Sequence, residues 1–261
     1  MLALAAAAGQ PPARSSLAKD LQFSLRTEKQ SYWLGEQVLV TVAWKNATGH
    51  PVRLRDWLGW QSGAFAVYHG SQRLEYRCLC LEYVSGPPSR VLKPRQEYAE
   101  TIDIAQCYDL QSEGSYTVHA EYLDNPTTRD ASVPHARVDV ELARASDQEL
   151  ERLRPLAAAS DSFAIRVLGA HRDRQAIPEL AKAIEAPGED VRGDATVALA
   201  RIGTAEAIGV LRAHLPRETD FALEAAIQEI LRNPGVETPL LKELLAVPLY
   251  PAPTAEAGAK Q

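Results

Sequence analysis

The sequence has no hydrophobic run long enough to cross a lipid bilayer. Its longest apolar stretch covers residues 2–8, whereas a spanning helix needs about 20 consecutive apolar residues. We therefore predict a protein without a transmembrane segment. At 261 residues, the chain exceeds the usual size of one domain, and we expect two.

Positive charge is also scarce. The chain carries 28 Lys and Arg against 34 Asp and Glu, a formal net charge of -6 at pH 7, and it contains no long basic run. Because affinity for phosphate comes from clustered cations, this balance argues against a nucleic-acid binder or an anionic-membrane binder.

The motifs of the commonest enzyme classes are absent as well. The sequence contains no Gly-rich phosphate loop after a strand, no Gly-x-Ser-x-Gly elbow and no His-Glu-x-x-His helix. The six histidines are scattered along the chain. Two of them, His171 and His214, lie near predicted helix ends, where we interpret them as favourable partners of the helix dipole. We predict a non-enzymatic protein with no catalytic residue and no cofactor.

Cysteine is rare, since the chain has only Cys78, Cys80 and Cys107. Cys78 and Cys80 share one face of a predicted strand and are poorly placed to bridge each other, whereas either can pair with Cys107. We predict a Cys80–Cys107 disulfide. A metal site that combines the three cysteines with one histidine is the alternative. The spacing is not that of a zinc finger or ribbon, so we predict no metal.

The first nine residues have the apolar centre and the small-residue end of a secretory signal, with Ala6-x-Ala8 as the cleavage site. The charged start of such a signal is missing, and a disordered Ala-rich tail is the alternative interpretation. We predict that residues 1–20 form a signal-like or disordered lead and that the protein is periplasmic or secreted.

Residues 21–145 show the period of two that is typical of an antiparallel sandwich. Val38, Val40, Val42 and Trp44 predict one core-facing side of a strand. Residues 65–68 and 74–83 predict a hairpin around Gly70, because a His-Gly-Ser turn separates them.

The run Glu113-Gly-Ser-Tyr116 resembles the corner of immunoglobulin-like domains, in which a Tyr hydroxyl bonds to backbone upstream. Val118 stands where that fold places its second cysteine, so the intersheet disulfide is absent. We predict an Ig-like β-sandwich in the general sense rather than an antibody-type domain.

The period changes to a helical one after residue 145, and the first helix is predicted to begin with a capping box at Ser146 and Glu149. Leu150, Leu153 and Leu156 predict the apolar stripe of this helix. We expect the domain boundary here, with helical repeats over residues 146–247 and a disordered tail over residues 248–261.

Two copies of one pattern lie within the helical part. Residues 164–180 align with residues 195–211, so that Leu168 and Leu199 occupy the same apolar position, and a weaker third copy begins at Asp220. Helix pairs of roughly 30 residues that recur must stack to bury their apolar faces, as in a solenoid.

The residues Glu189-Asp-Val-Arg192, Ala195, Ala198-Leu-Ala-Arg-Ile-Gly203 and Ala207-Ile208 closely resemble HEAT-like repeats of the phycobilisome-lyase type. The resemblance implies that Asp190 caps the first helix, that Gly203 ends it and that the alanines permit close helix packing. Pro178 fits the opening turn of a second helix. Lyase activity does not transfer, because most such repeats are scaffolds. The predicted fold class is therefore multidomain β + α, an Ig-like sandwich followed by a short α-solenoid.

A second resemblance concerns the sandwich. Tyr32-x-x-Gly35-Glu36, the loop over residues 52–63, and Gly114-x-Tyr116 look like the N-terminal domain that precedes deuterolysin and peptidyl-Lys metallopeptidases. That resemblance implies a role in binding or restraining a protease. No peptidase activity is implied, because the zinc motif of those enzymes is missing.

Two candidate partner-binding surfaces follow from the sequence. Trp57 and Trp60 lie in a predicted loop, and Trp supplies a large contact area with little flexibility. A loop folded onto the edge of the sandwich is the alternative interpretation.

The second surface lies on the second helices of the repeats, which line the concave side of HEAT-like stacks. Its exposed candidates are Glu179, Lys182, Glu206 and Arg212. Their mixed charges fit a protein partner of unknown identity, and a merely solvated helix face is the alternative.

We predict an exported protein–protein interaction or scaffold module. A protease inhibitor or propeptide-like binder that acts through residues 57–63 is one alternative. The other is an enzyme with a site at the domain junction, built from Cys80, His119 and a carboxylate of the repeats.

Overall fold

The structure, a computed structural model, describes residues 20–55, 65–76, 89–121 and 135–234. Strands occupy the first part of the chain and helices the second. The strands are β1 Leu21–Thr27, β2 Ser31–Trp33, β3 Leu39–Asn46, β4 Val52–Arg55, β5 Phe65–His69, β6 Gln72–Arg73, β7 Ser89–Leu92, β8 Glu97–Asp103, β9 Gly114–Glu121 and β10 His135–Ala143.

The strands form two main sheets, in the orders β1-β3-β8 and β2-β10-β9-β5-β6, and β4 pairs with β7 in a third, two-stranded sheet. Strand β2 runs parallel to β10, and the other pairs are antiparallel. This is the arrangement of an immunoglobulin-like sandwich, in which a strand from the start of the chain joins the sheet that holds the last two strands. The predicted fold class is confirmed for this domain.

The core of the sandwich lies between the inner faces of the two main sheets. Val40 and Val42 of β3 and Val118 of β9 are buried in one apolar cluster, as the alternating pattern predicted. The predicted tyrosine corner is also present, since the Tyr116 hydroxyl donates to the Ser112 carbonyl at 2.8 Å.

The predicted hairpin forms at Gly70, but its return strand does not begin at Leu74 as expected. Strand β6 covers only Gln72–Arg73, and Tyr76 makes a single bridge to Tyr108. The rest of the predicted strand, from residue 77 onward, lies outside the described residues.

Six α-helices follow within the described part of the chain. They are α1 Asp147–Ala158, α2 Ser162–Ala170, α3 Ile177–Ala183, α4 Glu189–Ile202, α5 Ala205–His214 and α6 Phe221–Arg232. Short 3-10 helices cover Arg174–Ala176 and Leu215–Arg217. None of the described helices is long and apolar enough to cross a membrane.

Local signals mark the helix ends. The capping box at Ser146 is confirmed, with both reciprocal hydrogen bonds to Glu149 formed. Gly203 ends α4 in the left-handed conformation at φ 66°, and Pro178 lies in the first turn of α3. The predicted capping role of Asp190 is wrong. The N-cap of α4 is Gly188, and Asp190 sits within the first turn, where its charge favours the helix dipole instead.

The repeat register is confirmed by burial. Leu168 and Leu199, which lie 31 residues apart, are both fully buried, and so are Leu180 and Leu211. All four side chains belong to one apolar core that the helices share. Each helix pair thus buries its stripe against its neighbours, as expected for a solenoid.

The stripe predicted for α1 is wrong at its last position. Leu150 and Leu153 are buried, but Leu156 is 47% exposed and Ala157 is fully buried in its place. The stripe follows the spacing i, i+3, i+7 rather than i, i+3, i+6, since a helix has 3.6 residues per turn.

Candidate functional site

The exposed residues of the second helices lie on α3, on α5 and on the turn that precedes α3. They recur with the 31-residue period, because each exposed position in the first copy has an exposed counterpart in the second. The pairs are Gln175 with Glu206, Pro178 with Gly209, and Lys182 with Ala213. We call these residues, together with Arg212, the second-helix surface.

The four predicted charged residues of this surface differ in exposure. Lys182, Glu206 and Arg212 are exposed, and within the described residues none of them makes an ion pair. Glu179 is only half-buried, and one of its carboxylate oxygens is buried without a hydrogen bond in the described part of the chain. The exposed ladder predicted for Glu179 is therefore wrong, because the repeat aligns it with the partly buried Val210.

Gly209 is the most unusual member of the second-helix surface. It lies in the interior of α5, and a Cβ added there would meet nothing within 4 Å. Glycine in a helix interior costs roughly 0.5–1 kcal/mol relative to alanine. The packing of the described residues gives no reason for this glycine.

The sandwich packs on one face of α2, the first helix of the first repeat copy. The Trp33 ring of β2 packs on the Phe163 ring of α2 at 6.2 Å between centroids, and Ala170 packs against the sandwich core. A Cβ added at Gly35 would lie only 2.5 Å from the Arg166 carbonyl oxygen. Residues 163, 166 and 170 form one stripe of α2, so the sandwich covers this stripe, whereas the second-helix surface is exposed.

The junction also contains three partly or fully buried charged side chains. Arg166 of α2 lies 3.5 Å from Asp194 of α4, and its charge also acts on Asp103 at the end of β8. Burial raises the pKa of both carboxyl groups above the usual range, and Arg166 partly opposes the shift. The Arg166 guanidinium therefore interacts electrostatically with carboxyl groups of both domains.

His171 at the C-terminal end of α2 makes a direct hydrogen bond between the two domains. Its Nε2 lies 2.7 Å from the amide nitrogen of Ala145, which follows the last strand, and its Nδ1 lies 2.8 Å from the Val167 carbonyl oxygen. The ring is 6% exposed, and burial lowers the pKa of His171. This side chain lies at the end of its helix as predicted, but because its Nε2 accepts from the Ala145 amide, the ring is neutral in this geometry and its role is hydrogen bonding rather than a charge interaction with the helix dipole.

His214 at the end of α5 lies between two carboxylates. Its Nδ1 is 3.0 Å from Glu185 and its Nε2 is 3.0 Å from Glu218. Arg192 of α4 pairs with both oxygens of Glu218 at 3.0 and 3.1 Å, and Arg217 pairs with Glu185 at 2.8 Å. These five residues tie successive repeats together.

The Glu218 carboxylate lies at the centre of this cluster, because it accepts from Arg192 and is hydrogen-bonded to His214. Burial opposes its ionisation, but hydrogen bonds from Arg192, from the Asp220 and Thr219 amides and from His214 outweigh it. They lower the pKa of Glu218 from 4.5 to about 2. The cluster thus links α4, α5 and the turn before α6 through hydrogen bonds and ion pairs.

The repeat alignment predicts that both histidines are buried. His171 aligns with Ile202, and His214 aligns with Ala183, and both of those positions are buried. Burial of the two rings follows from that alignment, whereas their hydrogen-bond partners do not.

Other predicted site residues are not brought together. His119 lies on the outer face of the five-stranded sheet, edge-on to Tyr68 at 5.3 Å. It is paired with Arg137, five positions along the ladder from the Gly114–Leu142 pair near the junction, which is roughly 17 Å. The structure therefore does not place His119 at the domain junction.

Trp57, Trp60 and Cys80 lie outside the described residues, so the loop surface stays a prediction. Cys107 is disulfide-bonded, and its pairing with Cys80 rather than Cys78 also stays a prediction. Among the described residues, no group of His, Cys, Asp and Glu has the arrangement of a metal site.

Comparison with known proteins agrees with the helical part of the fold. Residues 147–232 match the family model described as HEAT repeats, which confirms the predicted repeats. The finer phycobilisome-lyase type and the deuterolysin-like sandwich stay predictions. No curated protein is significantly similar to the chain.

Several solved structures are similar to the sandwich. A crystal structure of the CARDB domain of a Pyrococcus furiosus protein in complex with di-metal ions is 17% identical, with a TM-score of 0.29, over 48% of this chain and 94% of that chain. A Listeria innocua beta-glucosidase in complex with glucose is 17% identical, with a TM-score of 0.25, over 48% of this chain and 17% of that chain. These TM-scores are too low to bear on the function of this chain.

Proposed function

We propose that this protein is an exported, non-enzymatic scaffold that binds a protein partner on its second-helix surface. HEAT repeats beside an Ig-like domain are consistent with a protein-interaction module. The observation that carries the proposal is the periodic exposure of α3 and α5, on the side of the stack that the sandwich leaves open.

Charge supports a polar protein partner rather than a nucleic acid. Lys182 and Arg212 share this surface with Glu206, so it has no single-sign field to attract phosphate. Unpaired exposed charges contribute to association rate and specificity more than to folding stability. We therefore expect partner affinity to fall moderately as ionic strength rises.

The test uses charge reversal at exposed positions, where the variant proteins are expected to fold normally. Lys182→Glu and Arg212→Glu should each weaken capture of the native partner, whereas Arg152→Glu on the exposed side of α1 is the matched control. Arg166 and Arg192 do not serve as controls, because both are ion-paired within the fold. If Arg152→Glu weakened partner capture as much as Lys182→Glu does, a binding site on α3 and α5 would be contradicted.

Shape provides a second test that does not depend on charge. Gly209→Trp places a bulky ring in open space on α5, so the fold should tolerate it while close approach of a partner is blocked. Ala222→Trp on exposed α6 is the control for an added aromatic ring. Unchanged partner capture by Gly209→Trp would exclude close contact at this point.

Export is supported by the disulfide at Cys107, since disulfides persist in oxidising compartments. Cell fractionation, combined with the mass of alkylated native protein before and after reduction, tests this proposal. We expect one bridge and one free thiol in an envelope or secreted fraction. Three free thiols in the native protein would argue against export.

A further inference from the structure

His171 occupies the joint between the two domains. It ends α2, while its hydrogen-bond partner Ala145 lies in the connection between β10 and α1. The Ala145 amide can only donate a hydrogen bond, and the Val167 carbonyl can only accept one. At 2.7 and 2.8 Å, both bonds form only when the ring is neutral and its single proton is on Nδ1.

A second proton on this ring has no partner. It would lie on Nε2 and point at the Ala145 N–H, so that two donors face each other across 2.7 Å. A buried donor without an acceptor is costly, and with the ring 6% exposed, water does not reach it easily. Protonation and the present position of the connection are therefore incompatible.

The charged groups around the ring are already engaged with other residues. Arg144 of the connection pairs with Glu113 before β9 at 3.7 Å, and both act on His171 from a distance. Asp173, after α2, accepts from Arg154 at 2.8 Å. Glu149 of α1, the remaining charge near the ring, is held in the capping box. In the described part of the chain, none of these carboxylates bonds to the ring, so none is in place to receive a second ring proton.

We propose that His171 is an acid-released latch between the sandwich and the repeats. At neutral pH the ring holds the Ala145 amide and fixes the connection against α2. In acid the ring gains a proton, the bond to Ala145 breaks, and the connection between β10 and α1 is released from the end of α2. Burial lowers the pKa of His171, so the release occurs below the usual range of histidine. The latch is independent of the partner that the second-helix surface binds.

The direct test follows the full chain by NMR from pH 8 to pH 4.5. Ring nitrogen shifts report the tautomer and protonation of His171, and hydrogen exchange reports protection of the Ala145 amide. We expect the Nδ1–H tautomer at pH 8, and a fall in Ala145 protection by roughly tenfold or more as the ring protonates. The Leu34 amide is the internal control, because it donates to the Ala143 carbonyl at 3.0 Å, an acceptor that does not titrate.

A variant pair completes the test. His171→Gln should remove the pH-dependent change in Ala145 protection, and His119→Gln, on the outer sheet face, should retain it. If His171→Gln fails to fold, the wild-type measurement decides alone. The latch is refuted if the ring carries its proton on Nε2 at pH 8, or if Ala145 stays protected after the ring protonates. It is equally refuted if Leu199 in the repeat core loses protection together with Ala145, because that result means global unfolding.

Discussion

Two helical glycines of this protein allow the same substitution to be made in opposite environments. A Cβ at Gly169 of α2 would lie 2.6 Å from the Cα and the Cβ of Ala198 in α4. A Cβ at Gly209 of α5 would meet nothing within 4 Å. Alanine raises helix propensity at both sites, so a loss of stability in Gly169→Ala alone reports the contact between α2 and α4.

The expected magnitudes follow from these distances. Carbon atoms pack at about 3.5–4.0 Å, so alanine at Gly169 must separate α2 from α4 by about 1 Å. Overpacking of this kind costs about 1–3 kcal/mol, and the contact is with backbone that cannot rotate away. Gly209→Ala should instead stabilise the protein by about 0.5–1 kcal/mol, because the helix gains propensity without a clash.

Denaturant titration of both variants, with the slope m compared to wild type, measures these effects. A neutral or stabilising Gly169→Ala would mean that the two helices are not in contact. A destabilising Gly209→Ala would mean that the α5 surface is covered rather than open.

Further predictions concern the core, the charge cluster and the junction. Leu199→Ala should cost about 2–5 kcal/mol in a denaturant titration, because the side chain is fully buried. The control Leu156→Ala should be nearly neutral, because that side chain is 47% exposed. Similar losses of stability in the two variants would contradict the repeat register. Glu218→Gln should cost about 3–5 kcal/mol, because it breaks the ion pair of the largely buried Arg192 guanidinium, and the exposed Glu206→Gln should change little. Folding lowers the pKa of Glu218 from 4.5 to about 2. Its contribution to the free energy of unfolding is therefore fully present above pH 4.5 and is lost as the pH falls through 2. The unfolding free energies of wild type and Glu218→Gln should accordingly converge at low pH. Gly35→Ala should cost about 1–2 kcal/mol from its φ of +82° alone. The clash of the new Cβ with the Arg166 carbonyl oxygen adds a further loss of stability. A stabilising result in a thermal melt would contradict close packing of the two domains.

The sequence alone predicted the architecture because its signals are local or periodic. Alternation along β3 and the capping box at Ser146 each depend on residues a few positions apart. The register of Leu168 with Leu199 depends on a repeat that is visible in the chain itself. The left-handed end of α4 at Gly203 required only a glycine after a helical pattern.

The candidate surface was predictable only in part. Its location on α3 and α5 follows from the repeats, and so does the exposure of Lys182, whose counterpart Ala213 is also exposed. Helical period alone leaves Glu179 near the edge of the buried stripe, and the signal for its partial burial was its apolar repeat counterpart Val210. The loop at Trp57 and Trp60 stays a prediction.

Tertiary structure decided which residues meet across the two domains. The bond from Ala145 to His171 joins residues 26 positions apart, and the close approach of Gly35 to Arg166 joins residues 131 positions apart in the chain (166 − 35). No periodic pattern encodes such contacts, because they depend on how one rigid body packs on another. The sequence by itself therefore determined the two domains and their cores, whereas the charge state of His171 and the choice of the open face were set by packing between the domains.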